Sequence, residues 1–164
     1  MNKKIEAAVN QQLKEEIYSA YLYMALAAHY DEANYKGFAA WLQLQAQEEL
    51  GHAMKFYQFI TNRGGHVVLH AIEQPPTSFP EPAKAFALAY EHEQKITTLI
   101  NQLTSLAREE QDSALEQFLQ WFIQEQVEEE STTREVVEKL EAISGDVAGM
   151  LVLDEQMAAR STSE

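Results

Sequence analysis

Polar side chains interrupt four largely apolar helical stripes, and six of them are of types that can ligate a metal. The first stripe reads Val9, Leu13, Glu16, Ala20, Tyr23, Ala27, Tyr30. The second reads Phe38, Leu42, Gln45, Glu49, His52, Phe56, Phe59. The third is Phe86, Ala89, Glu93, Ile96, Ile100, Leu103, Ala107. The fourth is Leu115, Leu119, Phe122, Gln126, Glu129, Thr133, Val136, Leu140, Ile143. Steps that alternate between four and three keep each set on one helix face. Packing those faces together puts Glu16, Glu49, His52, Glu93, Gln126 and Glu129 in a core. A buried carboxylate is costly unless it is paired, protonated or bound to metal, and several in one layer repel one another. A pair of divalent cations is the simplest way to stabilise such a cluster.

Glu49 and His52 form a Glu-x-x-His pair, a spacing that lets both side chains reach one ion. Glu49 has carboxylates of other helices on both sides, so it is the expected bridging ligand. Oxygen-rich ligation with one imidazole and no thiolate suits iron or manganese better than copper. Tyr23 lies two turns from Glu16 on the same face. It is expected to pack in the core with its hydroxyl bonded to a ligand carboxylate. Trp121, one residue off its stripe, is a weaker candidate for the same neighbourhood. Glu48, Glu125 and Glu128, with Glu130 near, form an adjoining acidic set and a candidate third, more exposed metal position. His29, His66, His70 and His92 lie off the stripes and read as surface residues.

The elements that must position these groups are long. Helices are expected over about Lys3–Glu32, Lys36–Asn62, Ala83–Glu110 and 113 to about 143, with a short fifth over Val147–Ala159. Asn34 and Tyr35 make the first turn, Gly64 and Gly65 end the second helix, and Asp112 with Ser113 supplies a turn and N-cap. Short connections make the first pair and the last pair of long helices antiparallel. The second helix, at ~1.5 Å per residue, is ~40 Å long, and the linker after it, extended, reaches ~60 Å. It can span the bundle and start the third helix beside the start of the second, giving one long crossover. The six polar residues then fall near mid-helix and share one level.

Composition agrees with that architecture and excludes others. The chain has 164 residues, 46% hydrophobic and 10% aromatic, enough for one domain spanning residues 1–164 with a substantial core. All four prolines lie between Pro75 and Pro82. Only the tail from Ser161 to Glu164 reads as disordered. A net charge of −14 disfavours nucleic acid and anionic membranes and favours cations. The absence of cysteine excludes disulfides, thiolate zinc sites and iron–sulfur clusters. No apolar run reaches the ~20 residues of a membrane span, and no apolar segment follows Lys3 and Lys4, so a cytoplasmic location is expected.

These residues resemble the non-haem ferritins of bacteria and archaea over essentially the whole chain. The resemblance rests on Glu16-Ile17-Tyr18 with Tyr23, on Gln47-Glu48-Glu49-Leu50-Gly51-His52-Ala53, on Glu91-His92-Glu93, and on Glu125-Gln126-Val127-Glu128-Glu129. It implies a ferritin-like all-α four-helix bundle. Glu16, Glu49 and His52 would form a first iron position. Glu49, Glu93 and Glu129 would form a second, with Gln126 near both. Glu48, Glu125, Glu128 and Glu129 would form an outer third. It also implies a 24-subunit shell with the fifth helix gathered at a fourfold axis. Bacterioferritins, also similar, carry a methionine haem ligand directly after the bridging Glu; Leu50 stands there, so no haem is expected. They also use Glu-x-x-His where this chain has Gln126-x-x-Glu129. The acidic residues that line a threefold pore in animal ferritins are matched by Gln117 and Gln120, so the resemblance does not carry that iron route over.

The expectation is therefore iron storage with ferroxidase activity, in which Fe(II) is oxidised by O2 or H2O2 and kept as mineral inside a homo-oligomeric shell. Two alternatives stand beside it: a di-iron or di-manganese oxidase or catalase on the same bundle, and a non-catalytic helical scaffold. Assembly state discriminates the first, metal uptake the second.

Overall fold

The computed structural model describes residues 1–79 and 82–159. It has five helices in the order α1 (Lys3–Glu32), α2 (Lys36–Asn62), α3 (Pro82–Glu109), α4 (Ser113–Ala142) and α5 (Val147–Ala158). Each boundary lies within about a residue of the sequence expectation, because the local signals are strong. Asn2, Asp112 and Asp146 cap α1, α4 and α5 by accepting the backbone N–H groups of Lys4, Leu115 and Ala148. Asn34, Gly64 and Gln111 take the left-handed conformation just past α1, α2 and α3, with φ of 63°, 66° and 55°. There Tyr35, Gly65 and Asp112 donate back to the carbonyls of Tyr30, Ile60 and Ala107. The disorder expected for Ser161–Glu164 falls outside the described residues.

The crossover runs the length of α1, as its reach allows. It starts where Asn10 accepts from the Val68 N–H and donates to the His66 carbonyl. It passes Lys14, which pairs with Glu73 at 2.6 Å. It ends where Phe79 meets the His29 ring and the Tyr30 hydroxyl donates to the Pro82 carbonyl. The start of α3 therefore lies beside the end of α1. At the other end of the bundle Lys4 reaches Glu110, and Arg63 makes a two-pronged pair with Asp112 that ties the end of α2 to the start of α4.

The core has two parts. One joins Tyr23, Leu26, Tyr30, Phe38, Leu42, Phe86, Val136 and Leu140. The other joins Ile5, Val9, Leu13, Phe56, Ile60, Ile96, Ile100, Leu115 and Phe122. The polar stripe residues lie between them.

The fifth helix, which the resemblance places at a fourfold axis of a shell, also docks on this chain's own bundle. Leu153 and Met157 are buried in the first core region. The N–H of Phe38, unsatisfied within its helix because it lies in the first turn of α2, donates to Asp154 Oδ1 at 2.9 Å. The backbones come so close that a Cβ on Gly37 would sit 1.7 Å from the Asp154 carbonyl oxygen. Val147, Leu151 and Val152 stay exposed. Gly37→Ala is therefore expected to push α5 off α2 and cost about 1–3 kcal/mol. Chemical denaturation with limited proteolysis at α5 checks this; unchanged stability and an uncut α5 contradict it.

Candidate metal centre

The layer is built from helix middles, where a side chain is held by intact backbone hydrogen bonds on both sides. Glu16 comes from α1, Glu49 and His52 from α2, Glu93 from α3, and Gln126 and Glu129 from α4, and all six are buried. Three groups of ligand atoms converge: Glu16, Glu49 and His52; Glu49, Glu93 and Glu129; and His52, Glu125 and Glu129. Within each group the ligand atoms lie within 4.8 Å of one another. Glu49 is common to the first two groups, the arrangement a bridging carboxylate requires. His52 Nδ1 lies 3.4 Å from Glu49 and 4.0 Å from Glu16, while its Nε2 faces Glu125 at 3.9 Å. Glu48 is half-buried and Glu128 exposed, and neither enters any of the three groups.

Neutral donors hold the carboxylates. The Tyr23 hydroxyl donates to Glu93, the contact expected of it. Gln126 Nε2 donates to the other Glu93 oxygen at 3.1 Å. Gln45 donates to Glu129 at 2.6 Å and to Glu49 at 3.5 Å. Gln12 donates to Glu16 at 2.8 Å. Glu16 Oε2 is buried and has no hydrogen-bond partner among the described residues; the nearest ring nitrogen, His52 Nδ1, lies 4.0 Å away. Sequence reasoning passed over Gln12 and Gln45 as site residues. Each stands four residues before a ligand glutamate, one turn away on the same face, and that spacing was the available signal.

Protonation follows from burial. The Glu16 carboxyl is pushed up to about 8, first by burial and then by the charge of Glu49. Burial also raises Glu49, with Glu93 adding to it, and raises Glu93. His52 is held below the usual histidine value by burial, so its imidazole is neutral near pH 7 and has a lone pair to offer.

His92 is not a surface residue. It is buried, with its Nε2 2.7 Å from the Ser19 hydroxyl and its ring against Tyr18. Burial, then Lys95, lowers its pKa to about 4. One step off the α3 stripe still faces α1, so the flank of the helix is covered as well as its centre. His66 and His70 are exposed, as expected, and His29 is half-buried against Phe79. Trp121 is 37% exposed, yet its ring centroid lies 5.2 Å from that of His52 in an edge-on arrangement, and Lys55 sits 3.8 Å above its face. Gln117 and Gln120 are exposed on α4.

Fold and site together define a helical bundle built around a carboxylate-rich candidate dinuclear metal centre. Residues 6–143 match the family described as Ferritin-like domain. The bacterial non-heme ferritin of Bacteroides fragilis is 35% identical over 160 residues, 98% of this chain and 99% of that one. That of Staphylococcus epidermidis is 37% identical over 164 residues, 100% of this chain and 99% of that one. Among solved structures, the open pore ferritin of the archaeon Archaeoglobus fulgidus has a TM-score of 0.96 at 44% identity, covering 98% of this chain and 99% of its own. A humanized archaeal ferritin has a TM-score of 0.98 at 41% identity, covering 100% and 99%. The chain belongs to the ferritin family.

A carboxyl whose folded pKa lies above its unfolded value binds extra protons in the folded state. Its contribution to stability is present at low pH and is lost as pH rises through the folded value. His92 has the opposite sign: its contribution is present above about 6.5 and lost as pH falls toward 4. Between pH 6.5 and 8 the carboxylates therefore act without it. The metal-free protein is expected to lose stability across that window as Glu16 ionises, and the metal-loaded protein to hold steady. Denaturant midpoints at both pH values check this; a metal-free midpoint that rises with pH contradicts the buried-proton account.

Proposed function

We propose that this protein stores iron and oxidises it on the way into store. The observation that carries the reading is Glu49, shared between two ligand groups beside an unpartnered Glu16 oxygen. In this reading Glu16, Glu49 and His52 take one Fe(II), and Glu49, Glu93 and Glu129 take the other. Gln126 and Tyr23 orient Glu93, and Gln45 orients Glu129 and Glu49. The donor set suits the substrate: hard oxygens with one neutral imidazole. Each Fe(II) gives up one electron; O2 takes two electrons and two protons to leave as H2O2, or H2O2 takes two of each to leave as water. Ionising carboxyls that bind the cations release protons where the oxidant needs them. The second group is all carboxylate and lacks an imidazole. Glu125, facing His52, with Glu48 and Glu128 beyond it, handles iron passing to or from the pair as a third position. The name of the relatives, bacterial non-heme ferritin, supports the same assignment without haem.

The reading extends to assembly: one ferritin-like unit per chain, in a cytoplasmic homo-oligomeric shell of the 24-subunit kind. Exposed apolar side chains support it. Leu50, Met54 and Tyr57 form a stripe on α2, and Tyr21 and Met24 one on α1. Val68, Leu69 and Ile72 are exposed on the crossover, and Val147, Leu151 and Val152 on α5. An isolated soluble chain rarely leaves so much apolar surface uncovered. No described helix is long and apolar enough to cross a membrane, so a lipid bilayer reached by a spanning helix does not cover it.

Glu49→Ala is expected to leave a folded, assembled protein and to slow Fe(II) oxidation at least a hundredfold, since both ions lose a ligand. Stopped-flow absorbance at wild-type rate in this variant would refute the paired site. Glu125→Ala is expected to keep the fast first oxidation and to slow later rounds; failure to bind the first two irons per chain contradicts the outer role. Leu151→Lys leaves the buried side of α5 intact. It is expected to alter bundle stability by less than about 0.5 kcal/mol while yielding smaller assemblies. Analytical ultracentrifugation decides, and a full-sized shell removes α5 from the assembly contacts.

A further inference from the structure

A half-open cleft of about 420 Å³ lies between α3 and α4, and the proposed function makes no use of it. Thr97, Asn101, Gln126, Glu130 and Ser131 supply its polar lining, and Ile100, Ile123 and Val127 its apolar walls. Its floor is the Gln126 amide, and behind that amide lies Glu93 of the second ligand group. Gln126 Nε2 is 3.1 Å from Glu93 Oε2 and 3.4 Å from Thr97 Oγ1, and the Thr97 hydroxyl donates to Glu130 at 2.5 Å. One side chain therefore separates the cleft from the buried carboxylates. We propose that this cleft is the port through which a hydrated divalent cation reaches and leaves the second position, with Glu130 and Thr97 as its threshold and Gln126 as its gate.

The chemistry of the cleft fits that occupant. A water takes about 30 Å³ of liquid volume, so the cleft holds a cation with its hydration shell. The polar lining offers hydroxyl, amide and carboxylate oxygens, the ligands of hard, partly hydrated ions. Glu130 places a negative charge at the threshold, while Arg134, also in the lining, lies 3.8 Å from Glu138. The His52 side, where Glu125 serves the first position, does not lead directly to the second; there Trp121 lies against the imidazole and the Lys55 ammonium sits on the indole. The gate is also built to move. Gln126 shares one amide among three acceptors, the Glu93 carbonyl included, so it loses little when it swings. An arriving cation offers Glu93 a stronger partner than the amide it displaces.

The proposal rests on the metal-centre reading, and one experiment separates the two. Assembled protein is mixed anaerobically with Co(II), whose ligand-field absorbance reports binding without any oxidation. Val127→Trp plugs the cleft from an exposed wall position. It is expected to slow Co(II) loading and chelator-driven release at least tenfold, both alike, with the number of ions bound at equilibrium unchanged. Glu130→Gln removes the threshold charge. It is expected to slow loading severalfold and to flatten the fall of the loading rate with added salt. Should the Trp variant fail to assemble, the Gln variant carries the test alone. Wild-type rates and salt dependence in Glu130→Gln overturn the port, as does slowing seen only when Lys55→Trp blocks the opposite side. If the wild-type protein binds no Co(II), the metal centre fails and the port fails with it.

Discussion

Burial of carboxylates at the midpoint of a hydrophobic bundle is the constraint to which the rest of this structure answers. Each of the four long helices gives up part of its apolar stripe at the same level, and the core becomes two apolar regions with a polar layer between them. Long helices make that affordable, because enough apolar surface remains on both sides to hold the bundle. The crossover makes it possible, because it brings α3 into the bundle alongside α1 and sets Glu93 and Glu129 opposite Glu49.

Two neighbouring glutamates show how the layer differs from an ordinary ion pair. Glu15 is buried near the crossover and meets Lys95 at 2.6 Å and Lys14 at 3.3 Å. Burial alone would raise its pKa, but the two ammonium groups outweigh burial and hold it below the usual value. Glu16, one residue on, turns inward to amide and imidazole partners, and its pKa climbs to about 8. The named hydrogen-bond donors to the layer are Gln12, Gln45, Gln126 and Tyr23, all neutral. Such donors orient an anion without cancelling its charge. Protons or metal ions must do that, and the two compete for the same oxygens.

Periodicity made much of this legible in advance. The stripes identified Glu16, Glu49, His52, Glu93, Gln126 and Glu129, and burial agrees at each. Caps and turn residues set the helix ends closely. What stayed hidden lay off the stripe centres. His92 and Lys14 are polar flank residues, and the pattern on one helix does not say how far a neighbour or an irregular segment covers it. Here Ser19 and the Tyr18 ring cover His92, and Glu73 of the crossover pairs with Lys14. The docking of α5 depended on a glycine whose small size matters only once the other backbone is beside it. Glu48 and Glu128 are acidic and adjacent to ligands, yet adjacency along a helix turns a side chain by about 100°, and neither joins the three converging groups.

The divided core also bears on where the molecule breathes. In most helical bundles the middle of each helix is its best-protected stretch and the ends fray. Here, before any cation binds, the middles meet across a polar layer of buried carboxyls held by protons and neutral donors, while tight apolar packing lies toward both ends. Amide exchange in the metal-free state should then run comparatively fast around the layer and slow in the regions that flank it, an inversion of the usual gradient along a helix. An ion that binds there acts as a rivet at the waist of the bundle. It couples two apolar halves that are otherwise joined by the helix backbones and a few neutral hydrogen bonds.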